Sequence, residues 1–368
     1  MRNRCAHIYV HVPFCVDPCG YCDFYRTGYR ADWGQDFVEA LILEMDRRLT
    51  RDSVIETLYF GGGTPSLLTS VGWTAIFNAL TNRIRFMPAA EISIEANPLS
   101  VTEETVKLWH DLGINRVSVG VQSLSEPILR FLRRIHRPDQ AILALDILAA
   151  TGHFSVNADL LYGIPGQTEE DVLAGVRGVA NHVDHLSAYA LSVEMRTPFF
   201  RRGITALPPD ESAAQYDRLV DSAGRRGLVR YEVSNFSRPG HECRHNQNTW
   251  RYGSYVGLGP AAVGFSGTRR YKNVPDRRLY RQMLLNGDLP TAEEEPVDAE
   301  GPQGRHERML LGLRTCQGAA LRPGEWDRIR PGLDQDRLTE YFHRSGNRIR
   351  IDPRHWLLLD EILVRSGL

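Results

Sequence analysis

The stretch Ile8-Tyr-Val-His-Val-Pro-Phe-Cys15-Val-Asp-Pro-Cys19-Gly-Tyr-Cys22 decides the reading of the fold. Its first five residues, Ile8 to Val12, form a short apolar run rich in β-branched side chains, which predicts a strand. The loop behind it is bent by Pro13, Pro18 and Gly20 and carries three cysteines within eight residues. Such crowding is poor spacing for a disulfide framework, and in a reducing compartment it points to metal ligation or catalysis. Three thiolates on one loop suit an iron-sulfur cluster better than structural zinc, which wants four protein ligands. His11 or Asp23 could supply a fourth, so zinc stays open.

Working outward, short β-branched runs alternate with amphipathic segments of helical length. Strands are predicted at Thr57 to Phe60, Ile92 to Glu95, Arg116 to Val121, Val156 to Tyr162 and Leu186 to Leu191. Helices are predicted at Asp36 to Leu49, Thr102 to Leu112, Gln140 to Ala150 and Glu169 to Val179. Six strands separated by helices give an α/β fold with a parallel sheet. Right-handed crossovers then bring the residues following each strand to one rim. Gly61 to Pro65, Glu95, Asn97, Gln122 and Asp159 share that position, which is where chemistry belongs. Gly61-Gly-Gly-Thr-Pro65 offers a backbone that a ligand can approach closely. It is no P-loop, because no lysine follows, and the G-x-G-x-x-G spacing is absent.

Beyond residue 210 the alternation loosens into a helix at Glu211 to Arg225, a strand at Val229 to Val233 and a glycine- and aromatic-rich stretch from Trp250 to Gly267. Leu289 to Gly304, with three prolines and an acidic run, reads as a linker. Helices at Arg305 to Arg314, Asp336 to Arg344 and Pro353 to Val364, with Arg348 to Ile351 extended, predict a small, mainly helical domain like a winged helix. The division expected is 1-210 for the parallel-sheet domain, 211-290 for a sheet extension or cover, and 300-368 for the C-terminal domain. Across 368 residues, 44 basic groups face 45 acidic ones and 42% of residues are hydrophobic, so no nucleic-acid footprint or disordered acidic tail is visible. Only Lys107 and Lys272 among the bases are lysines. Neither a signal peptide nor an apolar run of membrane-spanning length is seen, and a cytoplasmic location is expected.

Taken together, several motifs resemble the radical S-adenosylmethionine (SAM) superfamily, and within it the coproporphyrinogen-oxidase-like group. They are His11-Val-Pro-Phe-Cys15, Cys22-Asp-Phe24, Gly61-Gly-Gly-Thr-Pro-Ser66, Ile94-Glu-Ala-Asn-Pro98, Gly120-Val-Gln-Ser123, Arg134-Ile-His136, Asp159-Leu-Leu-Tyr-Gly-Ile-Pro-Gly166 and His245-Asn-Gln-Asn-Thr-Trp250. The pattern is most similar to the HemW heme-chaperone family and runs from Tyr9 to about Gly318, including Leu311-Gly-Leu-Arg314.

The resemblance implies a partial (β/α)6 barrel with a C-terminal domain. It implies a [4Fe-4S] cluster on Cys15, Cys19 and Cys22, with SAM chelating the fourth iron, from which an electron breaks a sulfonium C-S bond to give a 5'-deoxyadenosyl radical. The SAM site carried over is Tyr9, Tyr21, Gly62, Gly63, Thr64, Glu95, Gln122, Arg134, Asp159 and Ala190. Carboxylates there suit ribose hydroxyls and the ammonium, and Arg134 suits the SAM carboxylate. The oxygen-independent oxidases carry a further cysteine where this sequence has Phe24, and a longer N-terminal segment. Both differences favour a heme carrier that passes heme to an acceptor, such as a membrane-associated respiratory enzyme, with a homodimer left open. Alternatives are a radical enzyme decarboxylating a porphyrinogen, a radical methyltransferase and an anaerobic heme-degrading enzyme. No catalytic residue is assigned.

His245 is the heme residue implied by the family motif, in which Thr249 stands where tyrosine is usual. A neutral imidazole is an ordinary axial ligand to heme iron, and Trp250, Tyr252, Tyr255 and Phe265 would suit a macrocycle. The bland reading is a packed histidine. His241-Glu-Cys243-Arg-His245, if extended, would also align three soft ligands on one side. No Cys-x-x-Cys-His is present, so covalent heme is not indicated. Cys5 and Cys316 are expected to be packing residues, and His136 and Tyr189 supports.

Overall fold

The computed structural model describes residues 6–51, 53–335 and 337–366; Cys5 lies outside them. Six parallel strands form the barrel wall: β1 (His7–Val12), β2 (Val54–Gly62), β3 (Arg85–Ala96), β4 (Arg116–Gln122), β5 (Ser155–Tyr162) and β6 (His185–Ala190). Between them run α1 (Ala31–Arg48), α2 (Ser70–Thr81), α3 (Glu103–Asp111), α4 (Glu126–Phe131), α5 (Pro138–Ala149) and α6 (Glu169–Val179). The helix starts are written locally. Thr102 with Thr105, and Thr168 with Asp171, close reciprocal capping boxes at α3 and α6, while Pro138 opens α5.

The sheet continues past α7 (Pro209–Gly224) with β7 (Val229–Arg230) and β8 (Asn235–Ser237), and β8 runs antiparallel to β6. At the other edge β9 (Val256–Leu258) joins β1 in parallel, so nine strands form an open, partial barrel. The short helix α8 (Arg244–Trp250) lies between these two additions in sequence.

Strand alternation divides this barrel chemically. Phe60, Ile94, Val119 and Ala158 turn outward and are buried under the helices, where Phe60 meets the Trp73 ring edge-on at 4.9 Å. The intervening positions turn inward and are polar: Tyr59, Ser93, Glu95, Arg116, Ser118, Asn157, Asp159 and His185 all line the lumen. A barrel needed only for stability fills its interior with branched apolar side chains; this one keeps its interior open and hydrogen-bonding.

The segment expected to be a linker is structured. Thr291–Pro296 is β12, paired with β11 (Arg269–Asn273), which also pairs with β10 (Val263–Phe265) in a second small sheet. Its residues are nearly all exposed, and Arg269 binds Glu294 across the ladder at 2.6 Å, so the acidic run decorates an edge strand. α9 (Arg277–Leu285) precedes β12, and α10 (Pro302–Gly312) follows it directly.

The C-terminal region combines α11 (Glu325–Gln335) and α12 (Leu359–Ser366) with a three-stranded sheet of β13 (Ala319–Ala320), β14 (Phe342–Ser345) and β15 (Arg348–Ile351). The helix expected at Asp336 to Arg344 is therefore corrected: Asp336 lies outside the described residues, Thr339–Tyr341 is a 3-10 turn, and the rest is strand. Hairpin pairing with β15 and burial of Phe342 prevail over local helical patterning. The last expected helix begins as a 3-10 turn at Pro353–Leu358. Among the described residues no helix is long and apolar enough to cross a membrane.

Candidate functional site

The lumen is a cavity of about 630 Å³ whose mouth carries the cysteine loop and whose far end is closed by the start of α8. Cys15, Cys19 and Cys22 line it, together with Tyr21, Gly62, Gly63, Thr64, Glu95, Gln122, Arg134, Asp159 and Ala190. Tyr9 and His245 do not line it. The Tyr9 ring stacks on Tyr59, which does, with centroids 6.2 Å apart.

The cysteine loop is tied down by cations. Arg26 donates to the carbonyls of Cys22 at 2.6 Å and Cys19 at 3.1 Å, and Arg134 donates to the Cys19 sulfur at 3.1 Å. The Thr64 hydroxyl lies 3.6 Å from the Cys15 sulfur. Burial pushes the Cys15 and Cys22 thiols up, while Thr64 pulls Cys15 back and the Phe24 backbone, then Arg26, pull Cys22 back. Donors around sulfur are what a thiolate-bound cluster requires. Arg26 escaped the sequence reading; its spacing of four residues past Cys22 was the available signal.

The glycine run approaches the loop backbone to backbone. Gly62 has φ +107°, and a Cβ there would meet the His11 ring at 2.5 Å. A Cβ on Gly63 would lie 2.5 Å from the Phe14 carbonyl oxygen. His11 itself is spoken for: Nε2 shares a hydrogen bond with the Tyr25 carbonyl at 2.8 Å, and Nδ1 with the Tyr9 hydroxyl at 3.1 Å. Among the described residues no three His, Cys, Asp or Glu side chains converge closely enough to share one ion. A cubane, which distributes its cysteines over different irons, needs no such convergence.

Facing the loop are two carboxylates. Glu95 accepts from the Tyr59 hydroxyl and the Gly62 amide, both at 3.0 Å. Asp159 accepts from Ser118 at 3.0 Å and from Asn157 at 2.8 Å. Burial, then the Asp159 charge, raises the Glu95 pKa to about 7, and burial raises Asp159 as well. A ligand cation would relieve both. At the rim Gln122 holds φ +66°, an uncommon conformation for a side-chain-bearing residue, at the end of β4. Arg134 Nε is buried without a hydrogen-bond partner among the described residues. An orphaned cation edge beside paired carboxylates and a bare glycine backbone fits an amino-acid-bearing, positively charged ligand such as SAM.

Deeper in the lumen, Ser93 and Arg116 sit in register on β3 and β4. The Ser93 hydroxyl and Arg116 Nη2 have no partner among the described residues, although Arg116 is only 5% exposed. Neither was singled out from the sequence as a site residue, because a polar residue inside a strand looks the same whether it faces solvent or a lumen.

His241, Cys243 and His245 do not form the extended ligand row. α8 begins at Arg244, and the three side chains go to three strands: His241 to Ser155 at 3.1 Å, Cys243 to Glu91 at 3.6 Å, and His245 to Thr57 at 2.8 Å. His245 is 7% exposed and stacks on Tyr59 with centroids 5.2 Å apart. Burial, followed by the nearby His7, lowers its pKa to about 3, so the imidazole is neutral. Glu91 accepts the Arg244 and His245 amides at 3.0 Å each, which anchors the helix to the base of the barrel. His136, whose Nε2 shares a hydrogen bond with the Val121 carbonyl at 3.1 Å, sits behind the rim. Cys316 donates to the Arg230 carbonyl at 3.3 Å.

The radical SAM superfamily model matches residues 9–176. The heme chaperone HemW of Mycobacterium tuberculosis (strain H37Rv) is 37% identical over 97% of this chain and 93% of its own. The heme chaperone HemW of Escherichia coli (strain K12) is 36% identical over 97% and 96%. Among solved structures, coproporphyrinogen III oxidase (HemN) from Escherichia coli, a radical SAM enzyme, has TM-score 0.85 at 20% identity and covers 99% of this chain and 90% of that one; at that identity the likeness is one of fold. With similarity above a third of all positions across nearly the whole length of both chains, and with the cysteine loop and polar lumen in place, the chain belongs to the HemW family of the radical SAM superfamily.

Proposed function

We propose that this protein is a heme carrier that holds a [4Fe-4S] cluster on Cys15, Cys19 and Cys22 and SAM in the lumen, takes up heme, and hands it to an acceptor protein in the cytoplasm or at the membrane surface. The observation that carries the reading is the near full-length similarity to two heme chaperones, joined to a lumen whose donors and acceptors suit the radical SAM cofactors. When bound, the cluster supplies one electron to SAM. The chain's own work is to orient and to exclude water. Arg134 spans from Cys19 toward the rim, Gly62, Gly63 and Thr64 bring a close backbone and a hydroxyl to the lumen while their amides stay bound to Glu95, Val12 and Phe14, and Glu95 and Asp159 offer negative charge to the SAM cation. Tyr9 supports the site from behind Tyr59.

In this reading His245 meets heme iron through Nε2, because Nδ1 is engaged by Thr57. The ring lies under Tyr59 here, so ligation requires α8 to shift. An anaerobic heme titration of the reconstituted protein and of His245→Ala tests it. About one heme in the wild type and a lost axial-ligand spectrum in the variant are expected. A wild type that binds no heme sinks the carrier reading.

A second reading is favoured by one observation, the Ser93 hydroxyl and the Arg116 Nη2 at the far end of the lumen, both without a partner among the described residues while Arg116 Nη1 donates to Ser155 and His241. They suit a carboxylate-bearing substrate placed beyond SAM, as radical decarboxylation of a porphyrinogen or a radical methyl transfer would need. Accumulation of 5'-deoxyadenosine with a decarboxylated or methylated porphyrin would establish it, and intact SAM after prolonged reduction would dismiss it.

A further inference from the structure

A second cavity, of about 580 Å³, lies on the opposite side of α8 from the lumen, between that helix, α10 and the edge of the C-terminal sheet. α8 is the partition between the two: Asn246 faces the lumen, whereas Gln247, Trp250 and Arg251 face the second cavity. Each cavity is of ordinary ligand-pocket size, but the lumen also has to accommodate SAM beside the cluster loop.

The second cavity is rich in guanidinium donors, two of which, Arg251 and Arg348, bind only neutral oxygens among the described residues. Arg308 and Arg348 enter it with Arg251, against one carboxylate, Glu242, whose side chain caps the Gly240 amide at 3.1 Å. Among the described residues Arg348 donates only to the carbonyls of Gln317 at 2.8 Å and Gly318 at 2.6 Å, and Arg251 to the amide oxygens of Gln247 and Gln317. The nearest carboxylate to Arg308 is that of Glu300 at 3.8 Å, which Arg322 already holds. The indole nitrogen of Trp250 is buried without an acceptor among the described residues. The facing wall includes the small residues Gly312, Gly318 and Ala319. Three guanidiniums, an aromatic face and these small wall residues describe a receptor for a flat apolar body bearing carboxylates.

We propose that this cavity docks heme by its propionates, with Arg308 and Arg348 as the charge clamp and Trp250 against the macrocycle. The proposal rests on the heme-carrier reading. It assigns the cavity face of the His245 to Trp250 motif to Trp250, and leaves His245 a buried anchor on Thr57 until α8 moves.

The test is an absorbance titration of the reconstituted full chain with heme and with heme dimethyl ester, in the wild type and in Arg308→Gln/Arg348→Gln. A charge-assisted contact is worth a factor of about ten in affinity. The double variant is expected to bind heme at least about ten-fold more weakly than wild type, and the wild type to bind the ester as weakly as the variant binds heme. Equal binding of heme and ester by the wild type overturns the dock and leaves heme carriage standing. Absence of any wild-type heme binding removes both. Should the double variant fail to fold, the ester comparison on wild type alone decides.

Discussion

Arg134 sets one guanidinium nitrogen 3.1 Å from the Cys19 sulfur and the other 2.8 Å from the Gly120 carbonyl. One side chain thus couples the cysteine loop to the end of β4, where Gln122 adopts its left-handed backbone. Its third nitrogen is buried and unpartnered among the described residues, so the fork is one donor short of satisfied. A SAM carboxylate would complete it.

The first prediction follows. Arg134→Gln keeps a donor but loses the charge, and one charged hydrogen bond is worth about 1.5–3 kcal/mol. SAM affinity should fall by about 10- to 100-fold, measured by anaerobic equilibrium dialysis at constant cluster content. An unchanged dissociation constant would remove Arg134 from the SAM site.

Gly63→Ala tests the close approach of two backbones. The added Cβ meets the carbonyl oxygens of Phe14 at 2.5 Å and Val12 at 2.8 Å, neither of which is a flexible side-chain end. The strand-to-loop turn must move, at a cost of about 1–3 kcal/mol. The variant should lose several degrees in Tm and incorporate less iron on reconstitution. Wild-type iron content and melting would show that the loop is not held by this contact.

Buried Glu95 makes the stability depend on pH. Its folded pKa of about 7 stands above the usual value of 4.5, so the folded state binds more protons between the two. Stability from this group is complete below pH 4.5 and is lost as pH rises through about 7, by at most about 3 kcal/mol. Conversely, a cationic ligand needs the carboxylate, so SAM affinity should rise over the same interval. Glu95→Gln should reduce the stability change, to which the similarly buried Glu232 also contributes, and weaken the affinity change, to which Asp159 contributes. Denaturant titrations at pH 5 and 8 read the first, and dialysis reads the second. A wild type equally stable at both pH values would contradict the burial of this charge.

The site rim was legible because parallel strands deliver their following residues to one end: the Gly61 to Pro65 run, Glu95, Gln122 and Asp159 meet there as the spacing predicts. Less legible were features decided by partners distant in sequence. The alternation of His241, Cys243 and His245 reads as extended, yet Glu91 on β3 accepts two amides at the start of α8 and fixes a helix instead. Glu293 to Glu295 resemble a solvated linker because an exposed edge strand has no apolar face to show. Arg116 and Ser93 gain meaning only once the lumen exists.

Glu44 is the clearest case of meaning acquired through folding. On the sequence it is one acid in an amphipathic helix; in the structure it is 0% exposed. Its carboxylate accepts from Arg48 at 2.8 Å, Asn273 at 2.7 Å, the Gly259 amide at 2.8 Å and the Tyr280 hydroxyl at 2.6 Å. Four donors from α1, β11, α9 and the turn after β9 converge on two oxygens, which balances the desolvation of the charge. Truncation leaves Arg48 and Tyr280 facing a void, so Glu44→Ala should cost about 3–5 kcal/mol in urea unfolding. Because the network joins the β10 to β12 sheet to the barrel rather than shaping the lumen, the folded variant should keep wild-type SAM affinity below its midpoint. A loss under about 1 kcal/mol would mean that water replaces the carboxylate at no cost, against the closure of this network.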